Sequence, residues 1–441
     1  MFSNKDLRNL LIPLLWEQLL AVTIGVMDTV MVARCGESAV SGVSLVDSIN
    51  VLLIQVFSAL ATGGAVITSQ YLGKKDARHA NESAKQLYYV VLAASCSMMA
   101  VCLFFRRSLL NTLFGSIEPE VMKAALIYFL LTALSFPFIA VYNASAALLR
   151  SMGRSSATFR TSVAMNLINV CGNALTIYGF GMGVAGAGLA TLFSRMIGSI
   201  YIQHFLSPAH SVISAPRLWP LNPDPALIRK ILAVGLPNGF ENGLFQFGKL
   251  MLVRMIATFG TVSIAANAVG NTIATFQCIP GAAISLGMIT VVGQCVGAHE
   301  FGQARAYTHR LMRLVYLIMG TLNLVMLALI PVLLLPFSLS PETSALASRL
   351  ILIHGIGAVL LWPLSFVLPN ALRAAGDARF TMLVSTFSML CFRVALGYVL
   401  GIPAGLGVVG VWLAMEIDWC FRIVLFVWRF HGHQWETKAL V

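Results

Sequence analysis

Charge is scarce in this chain. Asp, Glu, Lys and Arg make up only 10 % of its 441 residues, against roughly 25 % in a soluble domain. Hydrophobic residues reach 58 %, with a mean hydropathy of +0.84. A soluble globular protein is therefore excluded, and a polytopic membrane protein is expected. Acids are scarcer than bases, 17 against 29, yet the bases form no dense patch, which excludes nucleic acid as a partner. No C-x-x-C spacing occurs among the eight cysteines, and the eight histidines are scattered. Disulfide frameworks, metal sites and metalloenzyme constellations are thereby disfavoured, and core packing is the expected cysteine role. The start, MFSNKDLRNLLIPLLW, lacks a small-residue cleavage site and reads as a retained first membrane helix. The glycine cluster GFGMGVAGAGLAT follows no strand and has no basic partner. It suits close helix packing better than a nucleotide loop.

What is present is a succession of apolar spans. They fall near 10–33, 45–72, 86–105, 121–143, 157–180, 185–206, 231–257, 264–297, 310–336, 346–370, 379–401 and 405–430. The longest polar connector, SPAHSVISAPRLWPLNPDPALIRK at 207–230, holds five prolines and divides them six and six. The expected organisation is an amino-terminal lobe over 1–206, a linker over 207–230 and a carboxy-terminal lobe over 231–441. Lys and Arg concentrate in alternate loops, as at Lys74, Lys75, Arg78, Arg150, Arg305 and Arg373, which puts both termini in the cytoplasm.

The halves also repeat at an offset of about 224. Pro13 and Glu17 recur as Pro237 and Glu241; SQYLGKKD (69–76) recurs as GQCVGAHE (293–300); LLRSMGR (148–154) is echoed by ALRAAGD (371–377), and GVAGAGLAT (183–191) by GVVGVWLAM (407–415). The fold class expected is an all-α membrane protein: twelve transmembrane helices in two pseudo-symmetric six-helix lobes around a central cavity. That layout suits alternating access. Duplicated lobes without a pore loop argue against a channel.

Several polar residues stand at membrane depth. Glu17 and Asp28 share the first span and, eleven residues apart, face about the same way, roughly 16 Å apart along the axis. A charge turned to lipid at mid-membrane costs about 2.5 kcal/mol or more. Asn166, Asn169 and Asn173, at i, i+3 and i+7, line one helix face. Glu17 and Glu241 are repeat equivalents, either a gate or substrate contact or structural hydrogen bonds across the lobe interface. Lys249 is expected to find a partner on another helix. Arg393 is the repeat image of Asn169 and is expected to pair with Glu416 or Asp418 as a structural ion pair. His354 is either a proton shuttle or a hydrogen-bonded structural histidine. Gln55 and Gln277 are candidate cavity-facing groups or helix–helix hydrogen bonds.

MDTVMVARCG after a proline, the YLGKKD and LLRSMGR loops and twelve spans in two lobes resemble the multidrug and toxic-compound extrusion (MATE) family over the whole chain. The resemblance implies no enzyme and no cofactor. It implies instead a secondary-active exporter of amphipathic, often cationic, small organic compounds, coupled to H+ or Na+ and resident in the cell membrane; no obligate oligomer is expected. In that family an aspartate of the first helix shares an amino-lobe pocket with polar residues of the fourth, fifth and sixth. Asp28, Asn143, Asn169, Asn173 and Thr191 match those positions, and Pro13 matches a helix-bending proline. A carboxylate with amide and hydroxyl oxygens suits Na+ at Asp28; the carboxylate alone would serve as a proton site. This sequence departs from the family pattern in having Asn173 where the archaeal branch has a second aspartate, and in having no acid in the tenth span. The rival reading is a lipid-linked saccharide flippase of the same superfold, which would need a denser set of bases in its cavity.

Overall fold

The computed structural model describes residues 1–115, 118–207 and 211–441, so residues 208–210 of the linker lie outside the described residues. All regular structure among the described residues is helical: α1 (Asn4–Ala33), α2 (Glu37–Gly73), α3 (Ala77–Phe114), α4 (Pro119–Leu134), α5 (Phe136–Ser151), α6 (Ser155–Asn173), α7 (Gly183–Phe205), α8 (Pro225–Ala257), α9 (Thr261–Gly297), α10 (Phe301–Ala328), α11 (Ile330–Leu334), α12 (Pro341–Leu360), α13 (Leu368–Ala374), α14 (Ala378–Ser388), α15 (Leu396–Gly401) and α16 (Gly407–His431). The rods are α1, α2, α3, the α4–α5 pair bent by 45°, α6 and α7 before the linker. After it come α8, α9, α10, α12–α13, α14–α15 and α16. Three of the described rods do not pass as membrane spans on hydropathy and charge content together: α6, α8 and α16. Each carries polar or charged groups at depth. The chain forms two compact units, residues 2–239 and residues 240–441 with Met1.

Several helices outrun the spans read from hydropathy. Helix α2 begins at Glu37 rather than near 45, and α3 runs from Ala77 to Phe114 rather than from 86 to 105. At about 1.5 Å per residue such helices exceed a hydrocarbon layer of about 30 Å. Hydropathy marks only the part inside it.

The duplication extends to the backbone. Helices α2 and α9 are both 37 residues long, offset by 224. The positive-φ positions repeat at the same offset: Gly36 and Gly260, Lys75 and His299, Gly181 and Gly405, Gly183 and Gly407. At Gly181 (φ +64°) and Gly183 (φ +57°) the turn into α7 needs the left-handed region. Next to it Gly186 packs on Thr176 and Gly188 on Leu131, where a Cβ would come within 2.8 and 2.7 Å of those side chains. Close packing is thus the role of this glycine cluster. The cysteines depart from expectation. Only Cys102 and Cys295 are buried, whereas Cys96, Cys171, Cys391 and Cys420 are exposed, because lipid accommodates an apolar thiol as readily as a core does.

Pro13 sits inside α1, which is helical throughout Asn4–Ala33. Proline has no N–H, so the Asn9 carbonyl four residues back loses its helical donor. Ser155 Oγ, at the start of α6, donates to that carbonyl at 3.1 Å and also reaches Leu10 O. The vacated backbone group is satisfied from a neighbouring helix, as a low-dielectric setting requires.

The described linker segment is strapped along the start of α3. Asn81 Nδ2 donates to Val212 O (3.0 Å) and Ser214 N to Asn81 Oδ1 (2.9 Å). Lys85 donates to Pro220 O and Tyr89 to Leu218 O. Gln86 donates to Asn222 O and accepts from Asp224 N, both at 3.0 Å. Each such bond contributes about 1 kcal/mol, so Asn81→Ala with Gln86→Ala should raise trypsin cleavage at Arg217 by about ten-fold or more. Limited proteolysis in detergent checks this; unchanged cleavage would mean that the strap contributes nothing to linker order.

Candidate functional site

The polar face of α6 opens onto a cavity of about 270 Å³ inside the amino-terminal unit. Asp28 of α1, Asp47 of α2, Asn166, Asn169 and Asn173 of α6, and Thr191 and Arg195 of α7 line it. Asn173 Nδ2 donates to Asp28 Oδ1 at 2.9 Å and lies 3.2 Å from Asn169 Oδ1. The Asn169 carboxamide, turned so that its NH2 faces the carboxylate, is 2.8 Å from Asp28 Oδ1. Asp28 can therefore accept from two amides one helical turn apart. Asp47 accepts from Asn50 Nδ2 (3.3 Å), with the Tyr128 hydroxyl beside it. Arg195, the base of this cavity, donates to Ser135 Oγ at 2.8 Å, in the break between α4 and α5. Helix α6 passes into a widened turn over Ala174–Gly179 directly after Asn173, a backbone irregularity often found at functional positions.

The structure thus brings Asp28, Asn169, Asn173 and Thr191 together. Asn143 is not among the lining residues, and its Nδ2 is buried without a hydrogen-bond partner among the described residues. Asp47 and Arg195 escape the sequence reading. Hydropathy puts Asp47 at the mouth of a span whose helix in fact starts ten residues earlier, and Arg195 lies inside the sixth span, outside the loop tally. An arginine within a span, in FSRMIGS, is the available signal, since it demands a nearby acid.

Glu17 and Glu241 are held by arginines of their own units, which corrects the expectation of bonds across the lobe interface. Glu17 Oε1 lies 3.6 Å from Arg150 Nη1, and Thr158 Oγ1 donates to Glu17 Oε2 at 2.9 Å. Glu241 Oε1 lies 2.6 Å from Arg373 Nη2, and Arg373 Nη1 donates to Asn370 Oδ1 at 2.9 Å. The two arginines come from the repeated LLRSMGR and ALRAAGD segments, so one ion pair is built twice.

In the carboxy-terminal unit, Arg393 pairs with Asp418 (3.8 Å) and not with Glu416, the other candidate. Asp418 also accepts from Arg422 Nε at 3.0 Å and from Ser388. Glu416 and Asp418 stand two positions apart on α16, about 200° of rotation, which directs them to different faces. Both Glu416 oxygens are buried without a hydrogen-bond partner among the described residues, against Gly357. Lys249 finds no acid on another helix among the described residues; its ammonium stands 5.2 Å from the Phe245 ring centroid on its own helix. His354 Nδ1 is 2.6 Å from Gln277 Oε1, and the ring packs edge-on against Trp412 and Trp419. Gln277 O in turn accepts from Asn323. Gln55 is half-buried on α2 and does not line the amino-unit cavity.

Duplicated helical halves with acids held on amides at depth define a membrane transporter. The profile of the MatE family matches residues 13–175 and again 237–399, the same 224-residue repeat. The chain belongs to the MatE family, whose members are transporters, not enzymes, and it is a multi-pass membrane protein. It is 28 % identical to the Uncharacterized transporter YisQ of Bacillus subtilis (strain 168), over 97 % of this chain and 94 % of that one. It is 24 % identical to the Probable multidrug resistance protein NorM of Thermotoga maritima, over 99 % and 94 %. The crystal structure of MATE in the bent conformation superposes with a TM-score of 0.90 at 20 % identity, covering 99 % of this chain and 97 % of that one.

The buried Glu241–Arg373 pair makes a direct prediction. Glu241→Gln leaves a guanidinium unanswered in a side chain only 11 % exposed, which costs about 3–5 kcal/mol. Thermal unfolding should show a large loss for Glu241→Gln and a smaller one for the double Glu241→Gln/Arg373→Gln than the two singles add to. Strictly additive losses would mean that the two side chains are not coupled.

Proposed function

We propose that this chain is an antiporter that exports amphipathic, often cationic, organic compounds in exchange for inward H+ or Na+ by alternating access. The observation that carries the reading is one cavity holding two carboxylates, Asp28 and Asp47, with three asparagines and a single base, Arg195. Two acids facing one guanidinium leave one negative charge, which a low-dielectric site cannot hold unneutralised. A small cation supplies the neutralisation. Asp28 is the anchor for it, with Asn169, Asn173 and Thr191 as neutral oxygen donors for Na+, or with Asp28 taking up the proton when H+ is the coupling ion.

Ion and substrate then bias one bistable lobe by binding its two states unequally. Glu17–Arg150 and Glu241–Arg373 are structural pairs in this reading, and His354 with Gln277 is a structural hydrogen bond. Pro13 is the weak point at which α1 can flex, since Asn9 O depends on Ser155. The lobes over 1–206 and 231–441 act as a monomer joined by the 207–230 linker, with both termini cytoplasmic. The names of the NorM relatives support the substrate class.

Efflux of ethidium from proteoliposomes under an imposed pH or Na+ gradient tests this. One of the two gradients should drive wild-type efflux. Asp28→Asn should lower gradient-driven efflux about ten-fold or more while still binding the dye. Coupled efflux at the wild-type rate in Asp28→Asn would overturn the assignment.

A further inference from the structure

The two units invert their polarity at repeat-equivalent positions. Gly25 and Asn169, which line the amino-unit cavity, have Lys249 and Arg393 as images at an offset of 224. The acids Asp28 and Asp47 have Leu252 and Asn271 as images. Acid excess in one unit is base excess in the other.

Lys249 and Arg393 meet on one ring. The Lys249 ammonium is 5.2 Å and the Arg393 guanidinium carbon 5.0 Å from the Phe245 centroid. Phe245 packs edge-on against Phe366 (6.2 Å), which stacks on Trp362 (5.1 Å) and carries Arg422 over its own face at 5.3 Å. Three bases, Lys249, Arg393 and Arg422, thus stand against two acids, Asp418 and Glu416, so the cluster stays cationic even with both acids ionised. Asp418 hydrogen-bonds Arg422 and stands beyond hydrogen-bond distance of Arg393, at 3.8 Å. Arg393 is only 7 % exposed, yet its Nε and Nη1 have no hydrogen-bond partner among the described residues. Buried donors are nearly always paired. Lys249 is exposed and eight residues, about 12 Å, inside the end of α8. At that depth an ammonium turned to lipid is costly, so it faces water.

We propose that Lys249 and Arg393 form an anion subsite for the carboxylate of an amphipathic aromatic substrate, whose apolar body lies along Phe245, Phe366 and Trp362. The planar guanidinium supplies oriented N–H donors for a carboxylate, the ammonium supplies charge, and the ring shelf takes the hydrocarbon. This rests on the export reading above and extends its substrates to carboxylate-bearing compounds, zwitterions included, beside the cationic ones.

The test is equilibrium binding of carboxyfluorescein to the full-length protein in phosphatidylcholine nanodiscs, read by fluorescence anisotropy, with ethidium as the cationic control. No gradient is present, so the result is independent of ion coupling; failed coupling with intact anion binding would sink the antiport reading alone. Wild type should bind carboxyfluorescein. Lys249→Gln, an exposed position that leaves folding intact, should weaken it about ten-fold, and Lys249→Glu further still. Ethidium should bind either variant as well as wild type or more tightly. Arg393→Gln should weaken the anion similarly, but Lys249→Gln is the deciding variant because its site is exposed. Absence of carboxyfluorescein binding to wild type, or equal affinity in Lys249→Gln, would overturn the proposal. So would a parallel loss of both dyes. Added phosphatidylglycerol separates a soluble anion from a lipid headgroup: unchanged dye affinity supports the substrate subsite, and competitive loss assigns the bases to lipid and overturns it.

Discussion

The carboxylate of Asp28, carried on a helix through hydrocarbon, is the constraint on which the amino-terminal unit depends. A charge there is tolerable only if donors or a counter-charge surround it. Here the donors are asparagines repeated at helical spacing on α6, so the composition of α6 follows from a residue on α1. The same demand explains why α6, α8 and α16 are the rods whose composition alone does not mark them as spans. Each answers a charge at depth, on itself or on its neighbours.

Duplication supplied two copies of a backbone whose special positions have been retained. The left-handed residues 36, 75, 181 and 183 recur at 260, 299, 405 and 407, and the Glu17–Arg150 pair recurs as Glu241–Arg373. The chemistry laid on that backbone has diverged. Where the first unit lines a cavity with acids and amides, the second collects bases on an aromatic shelf. Shared geometry with separate charge is how one repeat can serve an ion and the other a different ligand.

Much of this is legible in the sequence. The i, i+3, i+7 asparagines and the acid at position 28 can be brought together because helical periodicity sets a face, and the repeat, at an offset of 224 for the glutamates and 223 for the arginines, identifies the members of the symmetric Glu–Arg pair. What escapes is depth and partner choice. Asp47 is missed because hydropathy sees where the hydrocarbon begins and not where the helix does. Asn143 is carried over by resemblance and lies outside the cavity lining. The partner of Arg393 depends on rotation about α16: sequence offers Glu416 and Asp418, and only the packed helix selects Asp418. Lys249 is expected to seek an acid, but its ammonium rests over Phe245, a contact that pairing rules for charges do not anticipate.

The central claim is that the amino-unit cavity holds a cation on Asp28 which substrate binding displaces. The most direct measurement is ion release from the purified protein in nanodiscs as ethidium is added, by potentiometric proton release in weak buffer and by loss of bound radiolabelled Na+. The expected result is release of one of the two ions on dye binding to wild type, and no release from Asp28→Asn at equal dye occupancy. Dye binding that displaces neither ion, or displaces it equally from the mutant, would contradict it.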